Sequence, residues 1–135
     1  SSFAQKIDKK LNKQVKIFKK ENFNKKNSIY IKSLINDPIL AKDHLINGLI
    51  SQNFDIISED EIDNIEKSVY EINLEYQWRA DTGCGGLVIK TLNGKILDIN
   101  DNNKIIASFN FSQSNFQGKC TDDVMMVLAK KLNLQ

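Results

Sequence analysis

Apolar and polar side chains alternate most clearly over residues 69–79 of the chain. The apolar set there is Tyr70, Ile72, Leu74, Tyr76 and Trp78, and each member is followed by a polar residue. A period of two predicts a β-strand with one buried and one solvated face, as in an antiparallel sheet. The three aromatic residues of this stripe, Tyr70, Tyr76 and Trp78, are expected in the core. A platform on which a ligand stacks is the alternative.

The segments before this strand follow a strand–helix–strand order. Residues 28–34 and 54–57 are rich in β-branched and aromatic residues and predict two strands. Between them, Asp37 and Pro38 predict the start of a helix that ends near residues 52–53. Ser58 and Glu61 have the spacing of a capping box, which predicts a short helix to about residue 67.

The segments after this strand predict a meander and a final helix. Strands are expected over residues 87–92, 95–100 and 104–111, with a tight hairpin turn at Asn93-Gly94 and a second turn at residues 101–103. A helix is expected after Thr121. The order indicates an α+β fold: a mainly antiparallel sheet (β-α-β, then a four-stranded meander, then a C-terminal helix) with helices on one face.

Residues 3–18 place apolar side chains on one side of a helical wheel and lysines on the rest, which predicts an N-terminal amphipathic helix. We divide the chain into this basic helix with a linker, residues 1–27, and a single α+β domain, residues 28–135. Two interpretations of the helix stay open: it lies on an anionic envelope surface or a protein partner, or it packs on its own domain. The first would use Lys6, Lys9, Lys10, Lys13, Lys16 and Lys20.

The net charge of +2 hides a strong asymmetry along the chain. Residues 1–32 hold ten lysines against Asp8 and Glu21, whereas residues 33–135 hold nine bases against fifteen acids. No run of apolar residues is long enough for a transmembrane segment. Nucleic acid is not an expected partner, because the few aromatic residues of the basic segment lie on or near its apolar side.

Cys84 and Cys120 both lie beside glycine and polar residues rather than in apolar runs. This context favours a disulfide formed in an oxidising compartment; two free thiols in a cytosolic protein are the alternative. We expect no metal and no cofactor, because two cysteines and the distant His44 fall short of a zinc site. No catalytic residues are assigned, since His44 is on the polar face of a helix and no base is paired with a nucleophile.

Three stretches carry a resemblance: residues 23–31 (FNKKNSIYI), residues 45–54 (LINGLISQNF) and the strand pair within residues 87–111. With the terminal helix, they resemble small bacterial envelope lipoproteins of α+β type. The resemblance implies a non-catalytic assembly or accessory role and supplies no site residues. The lipid-bearing cysteine of a mature lipoprotein is not at the start of this sequence.

The leading hypothesis is therefore a non-enzymatic, extracytoplasmic protein, periplasmic or secreted, that binds a protein or an envelope component. One alternative is a cytosolic or translocated interaction module, such as an immunity protein or a secretion adaptor. A small-ligand binder is the other.

Overall fold

A computed structural model describes residues 9–114 and 118–134 of the chain. Residues 9–14 are helical, and the further elements of the described ranges are six strands, two α-helices and two short 3-10 helices. The strands are β1 (Lys16–Lys19), β2 (Ser28–Ile31), β3 (Ile56–Ile57), β4 (Val69–Asp81), β5 (Gly86–Asp98) and β6 (Lys104–Ser112). The α-helices are α1 (Ala41–Ser51) and α2 (Thr121–Asn133), and the 3-10 helices span Glu59–Asn64 and Thr82–Cys84.

The strands form one mixed sheet in the order β1-β6-β5-β4-β2-β3. Strands β4, β5 and β6 are an antiparallel meander, and β1 pairs antiparallel with β6. Strand β2 runs parallel to both β3 and β4. The α+β class and the β-α-β unit around α1 are therefore confirmed, and the sheet is mixed.

The N-terminal helix ends earlier than predicted. Residues 9–14 are helical, Val15 is a bend, and β1 follows at once, so the prediction of helix to residue 18 and linker from residue 19 is wrong there. The physical reason is tertiary: Ile17 lies opposite Phe109 of β6 and packs against the core. Residues 3–8 of the predicted helix lie outside the described residues.

The predicted hairpin turn at Asn93-Gly94 is also wrong. Strand β5 runs unbroken through both residues, with Gly94 paired to Leu74 on one side and Phe109 on the other. A Cβ on Gly94 would lie 2.0 Å from Cζ of Phe109. A residue without a Cβ is needed here, because the Phe109 ring covers this position. Since β5 is a single strand, the meander has three strands instead of the four predicted. The predicted second turn is present, where Asn102 and Asn103 have positive φ.

Both α-helices pack on the same face of the sheet and share one hydrophobic core with it. They approach closely at Gly48, where an added Cβ would lie 3.0 Å from the carbonyl oxygen of Met125. The helix α1 begins at Ala41 and not at Pro38. Asp37 nevertheless caps it, because its carboxylate accepts from the amides of Ala41 (2.7 Å) and Lys42 (3.1 Å).

The opposite face of the sheet, called the outer face here, is covered at the end where β2, β3 and β4 meet. There Tyr30, Ile57 and Val69 form a small second cluster, with Ile62 and Ile65 from the Ser58–Lys67 region packed against it. The predicted capping box of Ser58 and Glu61 is present and starts the first 3-10 helix. No helix in the described ranges is long and apolar enough to cross a membrane.

Candidate functional site

The three aromatic residues of β4 do not form a common platform. Tyr70 is buried and packs on Phe23, with ring centroids 4.6 Å apart, and its hydroxyl accepts from the amide of Asn24 at 3.0 Å. Trp78 is at the other end of the strand, after a register shift, and is 48% exposed. The core expectation thus holds for Tyr70, while Trp78 is at the surface.

Tyr76, between them, has a structural role. Its hydroxyl donates to Oδ1 of Asp37 at 2.5 Å, so the residue that caps α1 is also tied to the sheet. Burial raises the pKa of the Tyr76 phenol, and the hydrogen bond to Asp37 raises it further. Because the phenol stays protonated, it continues to donate to Asp37 in mildly alkaline solution.

Cys84 and Cys120 are joined by a disulfide, with a Cα–Cα distance of 5.4 Å. It links the β4–β5 connection, through the second 3-10 helix, to the residue before α2. The cysteine pairing drawn from the sequence is therefore present in the structure.

The apolar side of the N-terminal segment is used by the domain itself, since Leu11 and Val15 are buried in the core. The ammonium of Lys131 in α2 donates to the carbonyls of Asn12 and Val15, at the end of the helical segment. Lys19 donates in turn to the carbonyl of Leu134. Burial lowers the pKa of both lysines. The described part of the segment thus docks on its own domain, as one of the two interpretations held.

The lysines assigned to partner binding are nevertheless accessible. Five of them are exposed, on the helical residues and on or after β1: Lys9, Lys10, Lys13, Lys16 and Lys20. Lys6 lies outside the described residues. The apolar side chains of the segment are therefore buried in the core, while its lysines face solvent.

A cleft of about 900 Å³ lies on the outer face and was not predicted from the sequence. It lies across β4, β5 and β6 beside the loop of residues 32–36. The register places its polar side chains on two neighbouring rungs: Asn73, Lys95 and Ser108 on one, and Glu75, Asn93 and Asn110 on the next. Amides, a hydroxyl and single charges of both signs suit a ligand with many hydroxyl or amide groups.

Asn73 is the most informative residue of the cleft. Its Oδ1 is buried and accepts no hydrogen bond from the residues that the structure describes. A buried acceptor without a donor costs about 1–3 kcal/mol. A rotation of the Asn73 side chain toward a hydrogen-bond donor in the cleft would break no hydrogen bond of this oxygen. The new hydrogen bond would recover part of that cost. The strict alternation of β4 places Asn73 on the polar face, but only the pairing of three strands assembles the cleft.

No protein-family model matches the chain, and a search of curated proteins gives no match. Among solved structures, the PelC dodecamer from Paraburkholderia phytofirmans is similar, with a TM-score of 0.60 and 16% sequence identity. The match covers 88% of this chain and 96% of the PelC chain. A variant PelC dodecamer from the same species gives a TM-score of 0.58 at 16% identity, covering 87% and 93%. This likeness shows a shared fold with a bacterial protein, in keeping with the bacterial resemblance of the sequence.

Proposed function

We propose that this chain is a non-catalytic accessory protein of the bacterial envelope that works outside the cytoplasm as an assembly of identical copies. The observation that carries the proposal is the similarity to PelC over nearly the whole of both chains, since the matched PelC structure is a dodecamer. The disulfide supports the compartment, because such bonds form and persist in oxidising surroundings.

The test is fractionation of the source bacterium with an antibody against the chain, followed by sedimentation of the purified oxidised protein. We expect the chain in the envelope or extracytoplasmic fraction, and an assembly whose mass is at least twice the 15.4 kDa of one chain. A cytosolic location would contradict the proposed compartment and favour an interaction module with free thiols. A monomer at all concentrations would contradict the proposed assembly.

The envelope component that suits the cleft is a glycan. Sugar hydroxyls both donate and accept, and side-chain amides such as those of Asn73, Asn93 and Asn110 do the same. The face is also wide and open, which suits a chain-like ligand better than a small enclosed one.

Asn73→Ala tests this ligand class. We expect the variant to lose most of its binding to a panel of soluble bacterial glycans while its melting temperature stays within a few degrees of wild type. Gln77→Ala is the matched control, since Gln77 is on the same strand and face but outside the cleft. Equal binding by the wild type and Asn73→Ala would reject the cleft as the binding site.

A further inference from the structure

Two segments of equal length carry opposite charge without any mixing of sign. Residues 9–20 contain six lysines and no acid, and residues 55–66 contain six acids and no base. We propose that these segments bind to each other between molecules: a second copy of this chain docks its lysine edge on the acidic edge of the first. The lysine edge is Lys9, Lys10, Lys13, Lys16 and Lys20. The acidic edge is Asp55, Glu59, Asp60, Glu61, Asp63 and Glu66. All of these side chains are exposed.

The fold puts the two segments at opposite ends of the sheet. The lysine edge includes β1 and the acidic edge surrounds β3, and these are the two outermost strands. Five strand spacings separate them, which is about 24 Å at 4.8 Å per spacing. The Debye length at physiological salt is about 8 Å. The two edges therefore do not neutralise each other within one molecule, and each remains available to another.

Internal ion pairs leave most of both edges unused. Among the described residues, the ion pairs are Lys67–Asp55, Arg79–Asp81 and Lys104–Glu21. Only Asp55 of the acidic edge takes part in one of them. Exposed apolar side chains lie beside the lysine edge: Phe18 of β1 is 57% exposed, and Leu134, whose carbonyl accepts from Lys19, is 67% exposed. Apolar contact surrounded by complementary charge is the usual composition of a protein interface.

The charges also restrict the kind of symmetry. A two-fold contact that pairs an edge with itself would bring lysines against lysines or acids against acids, which is repulsive. A contact in which each copy offers one edge to the unlike edge of the next is head-to-tail, and its repetition gives a closed ring or an open filament, whereas a reciprocal two-fold pairing of both edges would stop at a dimer. This inference rests on the proposed function, since it names the surface that holds the proposed assembly together.

The contact between the two edges is tested on the full oxidised chain by reversing the charge of each edge and then mixing the two variants. Lys16→Glu/Lys20→Glu reverses the lysine edge, and Asp60→Lys/Asp63→Lys reverses the acidic edge. We expect each variant to be monomeric in sedimentation at 150 mM salt. A 1:1 mixture should assemble again, because the two wild-type edges complement each other between the variants and so do the two reversed edges. The variant with all four reversals should assemble again.

Lys26→Glu/Lys90→Glu is the matched control, since both lysines are exposed and outside the two edges. This variant should assemble like the wild type, and circular dichroism verifies that every variant is folded. If a reversal prevents folding, a salt titration of the wild type decides, because the proposed contact must dissociate between 0.15 and 1 M salt.

The failures are distinguishable. If both double variants still assemble, or if the wild-type assembly resists 1 M salt, the edge contact is overturned and the proposed assembly still stands. A wild type that stays monomeric would overturn both.

Discussion

Replacement of Gly94 by alanine should destabilise the protein strongly, although the residue is in a strand and its neighbour Asn93 is exposed. The added Cβ would lie 2.0 Å from Cζ of Phe109, and 2.5 and 2.6 Å from Cε1 and Cε2. Ordinary van der Waals contact begins near 3.4 Å, so the ring must retreat by more than an ångström. Phe109 is 2% exposed in the core, and overpacking of this kind costs about 1–3 kcal/mol.

We expect a value in the upper half of that range, about 2–3 kcal/mol. For a chain of 135 residues this lowers the melting temperature by about 7–10 °C. Thermal and urea unfolding followed by circular dichroism measure it. Asn93→Ala is the control and should change the free energy of unfolding by less than about 0.5 kcal/mol.

A double-mutant cycle with Phe109→Leu identifies the cause. If the ring and the added methyl group collide, the double variant should be more stable than the sum of the two single changes predicts, by about 1 kcal/mol. Strict additivity of the two changes would show that the ring and the methyl group do not collide. A Gly94→Ala variant that melts at the wild-type temperature would show that the core accommodates the added Cβ.

Three further predictions concern the links between elements. Cys84→Ser/Cys120→Ser should lower the free energy of unfolding by about 4 kcal/mol, from the loop entropy of 36 residues, as measured by urea unfolding; an unchanged midpoint would contradict this. Burial raises the pKa of Tyr76 in the folded state above its unfolded value of about 10, so its contribution is complete below pH 10 and is lost at higher pH. Stability should therefore fall above pH 10, and less steeply in Tyr76→Phe; identical pH profiles would refute it. Lys131→Met should cost about 1 kcal/mol after discount for its partial exposure, while Lys130→Met, its exposed neighbour, should cost nothing measurable in the same melts.

Local signals in the sequence were reliable where the interaction they imply is itself local. The capping box joins Ser58 to a residue three positions later, and its hydrogen bonds are present. Asp37 caps α1 as expected, although the helix starts three residues later than predicted. The alternation of β4 correctly separates the core side from the solvated side over most of its length, since it depends only on the period of a strand.

The incorrect predictions concern residues whose conformation depends on partners that are distant in the sequence. Asn93-Gly94 is a frequent turn pair, but here the glycine makes room for a ring from β6. Residues 16–19 are compatible with a helical wheel, yet pairing with β6 makes them a strand. The candidate cleft needs three strands in register, so its residues could be assigned to a polar face from the sequence but not to a site.

The proposed extracytoplasmic location requires that the Cys84–Cys120 disulfide is formed in the source bacterium, and the redox state of these two cysteines in the cell is the decisive measurement. Cells are quenched in acid to stop thiol exchange, and the denatured protein is treated with a maleimide mass tag before and after reduction. We expect no tag before reduction and two tags after it. Two tags before reduction would mean that both thiols are free in the cell, and would overturn the proposed location.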